Sequence, residues 1–227
     1  MTAEDPYAIM ARHLGGERQN GGRPVSCFVA LGDSFTAGTG CADGERWADR
    51  VATKLRLRNP RLTYSNLAVE GATSEVVLEQ VGPAIQLEPD LVSVICGAND
   101  VLRRVRPDVE GYAGRLAQIL DRLREALPGA ALVTATSPEG WNFLELGPRT
   151  RARVIEGLAK VNEATRQISA ERGVPCFDVV DHPGLADADN FGPDGLHPSA
   201  AGHERAAYEM AHLLHEEFGI DSDGDRR

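Results

Sequence analysis

Apolar stretches without polar alternation recur along the chain at residues 25–31, 62–68, 90–96, 130–136 and 174–179. Each has the length of a strand, and the lack of alternation is typical of strands that are covered on both faces. Between them, apolar residues recur every three or four positions, which predicts helices over 45–58, 73–87, 108–127, 149–172 and 199–218. Strands joined by helix-length crossovers predict one doubly wound α/β domain with a parallel sheet of about five strands.

The two ends of the chain differ in composition from its centre. Residues 1–24 are polar and glycine-rich, with a short helical turn predicted around 7–14, and the last residues are charged. We therefore expect a polar N-terminal extension over 1–24, one domain over 25–219 and a charged C-terminal tail over 220–227.

Charge and composition exclude several classes of protein. The chain has 227 residues and a formal net charge of −10, with no basic stripe, so nucleic acid is not expected as a partner. Its N-terminus lacks the features of a secretory signal, and no stretch is long and apolar enough to span a bilayer, which predicts a cytoplasmic location. The four cysteines are scattered, and in that compartment we expect reduced thiols.

Four polar fragments follow the predicted strands at the ends where ligands bind in open parallel sheets. Ser34 lies on the turn that leaves the first strand, Gly71 follows the second, and Asn99 follows the third. Asp194 and His197 precede the last helix. Because the carboxyl ends of parallel strands share one edge, we expect these residues to converge there.

Together these residue types meet the requirements of acyl transfer to a serine. Ser34 supplies a hydroxyl nucleophile, and His197 is the natural base because its unperturbed pKa lies near working pH. Asp194 can fold back onto the imidazole and fix its tautomer. The backbone N–H groups of Ser34 and Gly71 and the side-chain amide of Asn99 are the candidate donors to an oxyanion.

Each residue also has a purely structural interpretation. Ser34 and Asn99 could be helix caps, and Gly71 could be a turn glycine that needs a positive φ. Asp194 could be a turn residue before proline, and His197 a surface histidine. The neighbouring acids Asp33 and Asp100 are themselves interpreted as structural, since both can bond the backbone near the site.

The chain resembles the SGNH hydrolase superfamily, also called GDSL-type lipases and esterases. The resemblance consists of four segments in the family order, at residues 32–38, 66–71, 97–100 and 194–198. It implies a flavodoxin-like three-layer α/β/α fold with strand order 2-1-3-4-5. It also implies Ser34, His197 and Asp194 as the catalytic residues and Ser34, Gly71 and Asn99 as the oxyanion hole, with no metal or other cofactor. Phe35 stands where many members have leucine, a difference that concerns packing only.

These observations predict a serine esterase that cleaves a small-molecule carboxylic ester with a small or medium acyl group through an acyl-enzyme. An acyltransferase or thioesterase with the same residues is the alternative, and an inactive binding domain on the same scaffold is a further one. Trp141, Phe143 and Leu144 follow the fourth strand and could line a substrate pocket, act as a lid, or belong to the core. The arginines at 103, 104 and 106 could meet an anionic substrate or form a solvated face.

Overall fold

The computed structural model describes residues 23–139 and 144–221. Within these residues the chain forms one parallel five-stranded sheet in the order β2-β1-β3-β4-β5. The strands are β1 Cys27–Gly32, β2 Thr63–Asn66, β3 Leu91–Ile95, β4 Ala131–Ala135 and β5 Cys176–Phe177. The expected strand order is confirmed. The helical turn predicted around 7–14 and the end of the tail lie outside the described residues.

Within the described residues, four long helices connect the strands and a fifth follows β5, each beginning and ending within two residues of its predicted bounds. Two short helices, too short to show a periodic pattern, follow β1 and β3. In chain order the helices are α1 Ser34–Ala37, α2 Trp47–Arg58, α3 Ser74–Gln86, α4 Ala98–Leu102, α5 Val109–Ala126, α6 Pro148–Glu171 and α7 Ala200–Phe218. Two 3₁₀ turns, Pro183–Ala186 and Ala188–Asn190, lie between β5 and α7.

Helices cover both faces of the sheet because successive residues of the central strands point to opposite sides. In β1, Val29 and Leu31 join the core formed with α3, α5 and α6, whereas Phe28 and Ala30 join the core formed with α2 and α7. The central strands β3 and β4 are buried along their whole length. The result is the predicted α/β/α arrangement in three layers.

The edge strand β5 is shorter than the apolar run that predicted it. It pairs with β4 only at Cys176 and Phe177. Beyond that point the Val179 N–H donates to the Thr136 hydroxyl at 2.9 Å, and that hydroxyl donates to the Asp178 carboxylate at 2.9 Å. After Phe177, hydrogen bonds to side chains thus replace the backbone hydrogen bonds of the sheet, and the chain leaves the sheet and continues to the 3₁₀ turns.

The cysteines are all free, as expected. Among the described residues, no helix is long and apolar enough to cross a membrane. The cytoplasmic location and the domain boundaries stay predictions.

Candidate active site

Ser34 begins α1 immediately after the turn that ends β1. The cap of this helix is Asp33, whose Oδ1 accepts the Phe35 N–H at 3.1 Å. Asp33 is therefore the N-cap of α1, and the interpretation of Ser34 as the cap is wrong. The Ser34 side chain is partly exposed and lines a cavity at the carboxyl edge of the sheet.

Gly32, the last residue of β1, is held from α3 by a side chain that the sequence pattern did not single out. Gln80 is 6% exposed; its Oε1 accepts the Gly32 N–H and its Nε2 donates to the Gly32 carbonyl, both at 2.9 Å. A Cβ at Gly32 would overlap the Ile95 carbonyl oxygen of β3. The strand end that carries Ser34 is thus fixed by a two-bond amide clamp and by close backbone contact.

Asp194 and His197 form a hydrogen-bonded pair within one short loop. The imidazole Nδ1 lies 2.6 Å from Asp194 Oδ2, while Oδ1 accepts the N–H groups of Leu196 at 2.9 Å and His197 at 3.0 Å. Because Nδ1 is committed to the carboxylate, Nε2 is the ring nitrogen left for another partner. Burial raises the pKa of Asp194, but the bonds from the His197 ring and the two N–H groups outweigh it and hold that pKa below its usual value.

Gly71 lies at the turn after β2 in a left-handed conformation, with φ of 71°. Its carbonyl accepts a hydrogen bond of 2.6 Å from Nη1 of Arg103, the first of the three arginines noted in the sequence. Both the turn interpretation and an oxyanion role are compatible with this conformation, since glycine adopts it without strain.

Asn99 is the second residue of α4, whose cap is Gly97. The interpretation of Asn99 as the helix cap is therefore wrong. Its Nδ2 donates to the Ala72 carbonyl at 3.1 Å and, at 3.3 Å, to Asp33 Oδ2. This bond links the loop after β3 to the turn that carries Ser34.

The two neighbouring acids have the structural role that the sequence predicts. Asp100, 2% exposed, accepts the Ser74 N–H at 2.8 Å and the Ser74 hydroxyl at 2.6 Å, and Arg115 lies 3.3 Å from its Oδ1. Asp33 is almost fully buried, and this burial raises its pKa to about 6 in spite of the Phe35 N–H bond.

A second buried amide fixes the loop after β4. Asn162 of α6 is fully buried; it accepts the Ser137 N–H and donates to the Ser137 carbonyl, both at 2.8 Å. A polar residue in an amphipathic helix is normally expected on the solvent-exposed face. The sequence pattern therefore does not predict that Asn162 is buried.

One cavity of about 350 Å³ joins the predicted residues. Ser34, Gly71, Asn99 and His197 all line it, and Asp194 lies behind His197. Among the described residues no hydrogen bond joins Ser34 to His197, a bond that in unliganded enzymes often tightens only with substrate. No group of three His, Cys, Asp or Glu in this part of the chain could hold a metal ion.

The predicted substrate residues after β4 are only partly described. Trp141 and Phe143 lie outside the described residues. Leu144 is partly buried and packs against the core on the α3, α5 and α6 face. The described apolar lining of the cavity comes instead from other elements, and includes Phe35, Trp47, Ile95, Ala135, Phe177, Val179, Leu185, Phe191, Leu196 and Met210.

Comparison with solved structures identifies proteins that share this fold. In structure, the chain is similar to a GDSL-like lipase of Parabacteroides merdae, with a TM-score of 0.72 and 19% identity over 90% of this chain and 100% of that chain. An acetylxylan esterase of Geobacillus stearothermophilus gives a TM-score of 0.66 and 20% identity over 88% and 97%. These likenesses show the fold, a three-layer α/β/α arrangement around a parallel sheet.

Sequence comparison identifies the family. The model of the GDSL-like Lipase/Acylhydrolase family matches residues 30–205. The GDSL lipase Rv0518 of Mycobacterium tuberculosis is 28% identical over 198 residues, which cover 82% of this chain and 80% of that protein. The chain belongs to the GDSL-like lipase/acylhydrolase family, as its four sequence segments predict.

Proposed function

We propose that this protein is a serine esterase that hydrolyses carboxylic esters with a small or medium acyl group through a covalent acyl-enzyme. The observation that carries the proposal is the bond of 2.6 Å between Asp194 and His197, next to a cavity that Ser34 and His197 line together. Family membership supports ester hydrolysis in general.

In the first half-reaction, His197 Nε2 takes the Ser34 proton as Oγ attacks the carbonyl carbon of the ester. Asp194 keeps Nδ1 protonated and stabilises the imidazolium that forms. The tetrahedral intermediate then collapses, the C–O bond to the alcohol breaks, and His197 returns the proton to the departing alkoxide. In the second half-reaction, water takes the place of the alcohol and releases the acid and the free Ser34 hydroxyl.

Three donors are proposed to stabilise the negative charge on the former carbonyl oxygen. The Ser34 N–H is the first of its helix, so it has no acceptor within the helix. Gly71 lines the cavity and supplies its N–H, and the Asn99 amide contributes the proton that otherwise makes the long 3.3 Å contact with Asp33. Loss of one such donor costs on the order of 10² to 10³ in turnover.

The experiment is hydrolysis of p-nitrophenyl butyrate by the wild type and by Ser34→Ala. We expect a loss of about 10⁴-fold or more in kcat for Ser34→Ala, because the nucleophile is gone. The matched control is Ser137→Ala, which removes another hydroxyl from the same cavity lining and should keep most of the activity.

Labelling with a fluorophosphonate gives a second measurement that does not depend on turnover. Mass spectrometry should find the adduct on Ser34 in the wild type and in Ser137→Ala, and none in Ser34→Ala. Undiminished hydrolysis or labelling in Ser34→Ala would contradict the proposal. Addition of an alcohol, amine or thiol acceptor during turnover distinguishes hydrolysis from acyl transfer by the ratio of products, since a transferase passes most of the acyl group to the acceptor and an esterase releases most of it as the free acid.

A further inference from the structure

The cavity extends well beyond the residues of the proposed reaction. It continues past Ile95, Ala135 and Phe177, which lie at the carboxyl ends of β3, β4 and β5. Ser34 follows β1, and three strand spacings separate β1 from β5, a distance of about 14 Å. The middle of the cavity is therefore a mainly apolar passage along the sheet edge, with Thr136 and Ser137 also in its lining, and it is long enough for a hydrocarbon segment.

A polar pair lies in the cavity lining at the β5 side. The His182 ring is 6.0 Å from the Phe177 ring, which places it beside the end of β5, and its Nε2 lies 3.2 Å from Oε1 of Glu209 on α7. The two side chains are only 15% and 19% exposed. They are thus largely withdrawn from solvent, at the end of the passage opposite Ser34.

The hydrogen bonds of this pair define what it offers to a ligand. The Gly184 N–H donates to His182 Nδ1 at 3.1 Å, so the proton of the neutral ring resides on Nε2 and is donated to Glu209 Oε1. Oε2 of Glu209 has no hydrogen-bond partner in the described part of the chain. The pair therefore presents a carboxylate oxygen, a hydrogen-bond acceptor, to the cavity.

Arg205 also lines this region, but its guanidinium has a partner of its own. It lies 3.7 Å from Asp187 and is 37% exposed, so its charge is already partly paired and shared with solvent. An anionic substrate end would meet this paired arginine together with the Glu209 carboxylate. The charges at this end of the cavity therefore favour a ligand group that donates a hydrogen bond over an anionic group.

We propose that Glu209, oriented by His182, forms a subsite for a hydroxyl group at the end of the substrate remote from the ester. The inference rests on the proposed esterase function and names its substrate class: esters whose acyl chain is apolar in the middle and hydroxylated at its far end. A plain alkyl end would leave the Glu209 oxygen desolvated and unpaired, whereas a hydroxyl satisfies it. Sites that hydrogen-bond a substrate hydroxyl discriminate strongly against analogues without it.

The test compares p-nitrophenyl decanoate with p-nitrophenyl ω-hydroxydecanoate. A hydroxyl probe is used because the net charge of −10 would attract a cationic probe without any specific site. In the wild type we expect kcat/KM to favour the hydroxylated ester by about tenfold or more, the effect of a hydrogen bond to a charged acceptor. Glu209→Leu should lose this preference, whereas Glu216→Leu, an exposed glutamate on the same helix, should retain it.

A binding measurement keeps the inference separate from the proposed chemistry. Calorimetry of ω-hydroxydecanoic and decanoic acid binding to Ser34→Ala should show the same preference without any turnover. Equal kcat/KM for the two esters in the wild type, together with equal affinities, would overturn the subsite and leave the esterase proposal intact. Absence of hydrolysis with a preserved binding preference would contradict the esterase proposal and support the subsite.

Discussion

His203 should make the protein sensitive to acid, because its ring is buried next to Phe35, the neighbour of Ser34. The residue is fully buried on α7; its ring stacks on Phe35 with centroids 5.8 Å apart, and Nδ1 accepts the Trp47 N–H at 3.3 Å. Burial, followed by the nearby charge of Arg50, lowers its pKa from 6.5 to about 4. The other charges acting on the ring come from Arg46, Asp49 and His197.

The sign and size of the effect follow from proton linkage. Below pH 6.5 the unfolded chain binds a proton at His203 that the folded protein does not bind until about pH 4, so stability falls as the pH falls through this window. Each pKa unit corresponds to about 1.36 kcal/mol, so this group alone lowers the free energy of unfolding by about 3 kcal/mol between pH 7 and pH 4.

The perturbation is His203→Gln, which removes the titrating ring and keeps an acceptor for the Trp47 N–H. At pH 7 we expect the variant to be less stable by about 1 to 2 kcal/mol, because the stacking on Phe35 is lost. At pH 4 the order should invert, since the wild type has lost about 3 kcal/mol and the variant has not.

The assay is urea denaturation followed by circular dichroism at pH 4, 5, 6 and 7. The difference between wild type and variant isolates His203, because distant titrating groups contribute equally to both. His212→Gln, a substitution of a half-exposed histidine on the same helix, is the control and should show no inversion. A difference between wild type and His203→Gln that stays constant from pH 7 to pH 4 would refute the reasoning.

Three further substitutions test the site and its supports. Asp194→Asn should lower kcat by about 10⁴-fold with little change in KM, because the amide favours the wrong His197 tautomer; unchanged steady-state kinetics would contradict this. Gly32→Ala should lower the free energy of unfolding by about 1 to 3 kcal/mol, since the new Cβ overlaps the Ile95 carbonyl, and an unaltered melting temperature would disprove that overlap. Asn162→Leu should cost about 2 to 4 kcal/mol in urea denaturation by leaving two backbone groups unpaired, whereas a variant as stable as wild type would show that water replaces the amide.

The architecture could be predicted because its signals are local. Buried strands such as β3 consist of consecutive apolar residues, and long helices such as α5 repeat their apolar positions every turn. The parallel arrangement then brings Ser34, Gly71 and Asn99 to one edge of the sheet. The topology is sufficient to predict this convergence. The short helices α1 and α4 could not be predicted, because a helix of about one turn is too short to show a periodic pattern of apolar residues.

The supports of the site could not be predicted, since they depend on partners far along the chain. Gln80 bonds a backbone 48 residues earlier, and Asn162 bonds one 25 residues earlier. Both stand in helices whose polar positions are normally solvated, and nothing in their immediate neighbours marks them as buried. The pairing of His182 with Glu209 likewise arises only when α7 packs beside the end of β5.

The hydrogen bond between Asp194 and His197 is made by residues three positions apart, so it has a consequence for loss of activity under stress. In the part of the chain that the structure describes, the hydrogen bonds of the Asp194 carboxylate are all made within residues 194–197, without a partner from a distant segment. The alignment of this pair with Ser34, by contrast, depends on packing between segments more than 150 residues apart. On gradual heating, the imidazole should therefore keep its carboxylate partner after catalysis has ceased, and an NMR signal of the shared proton would outlast the turnover.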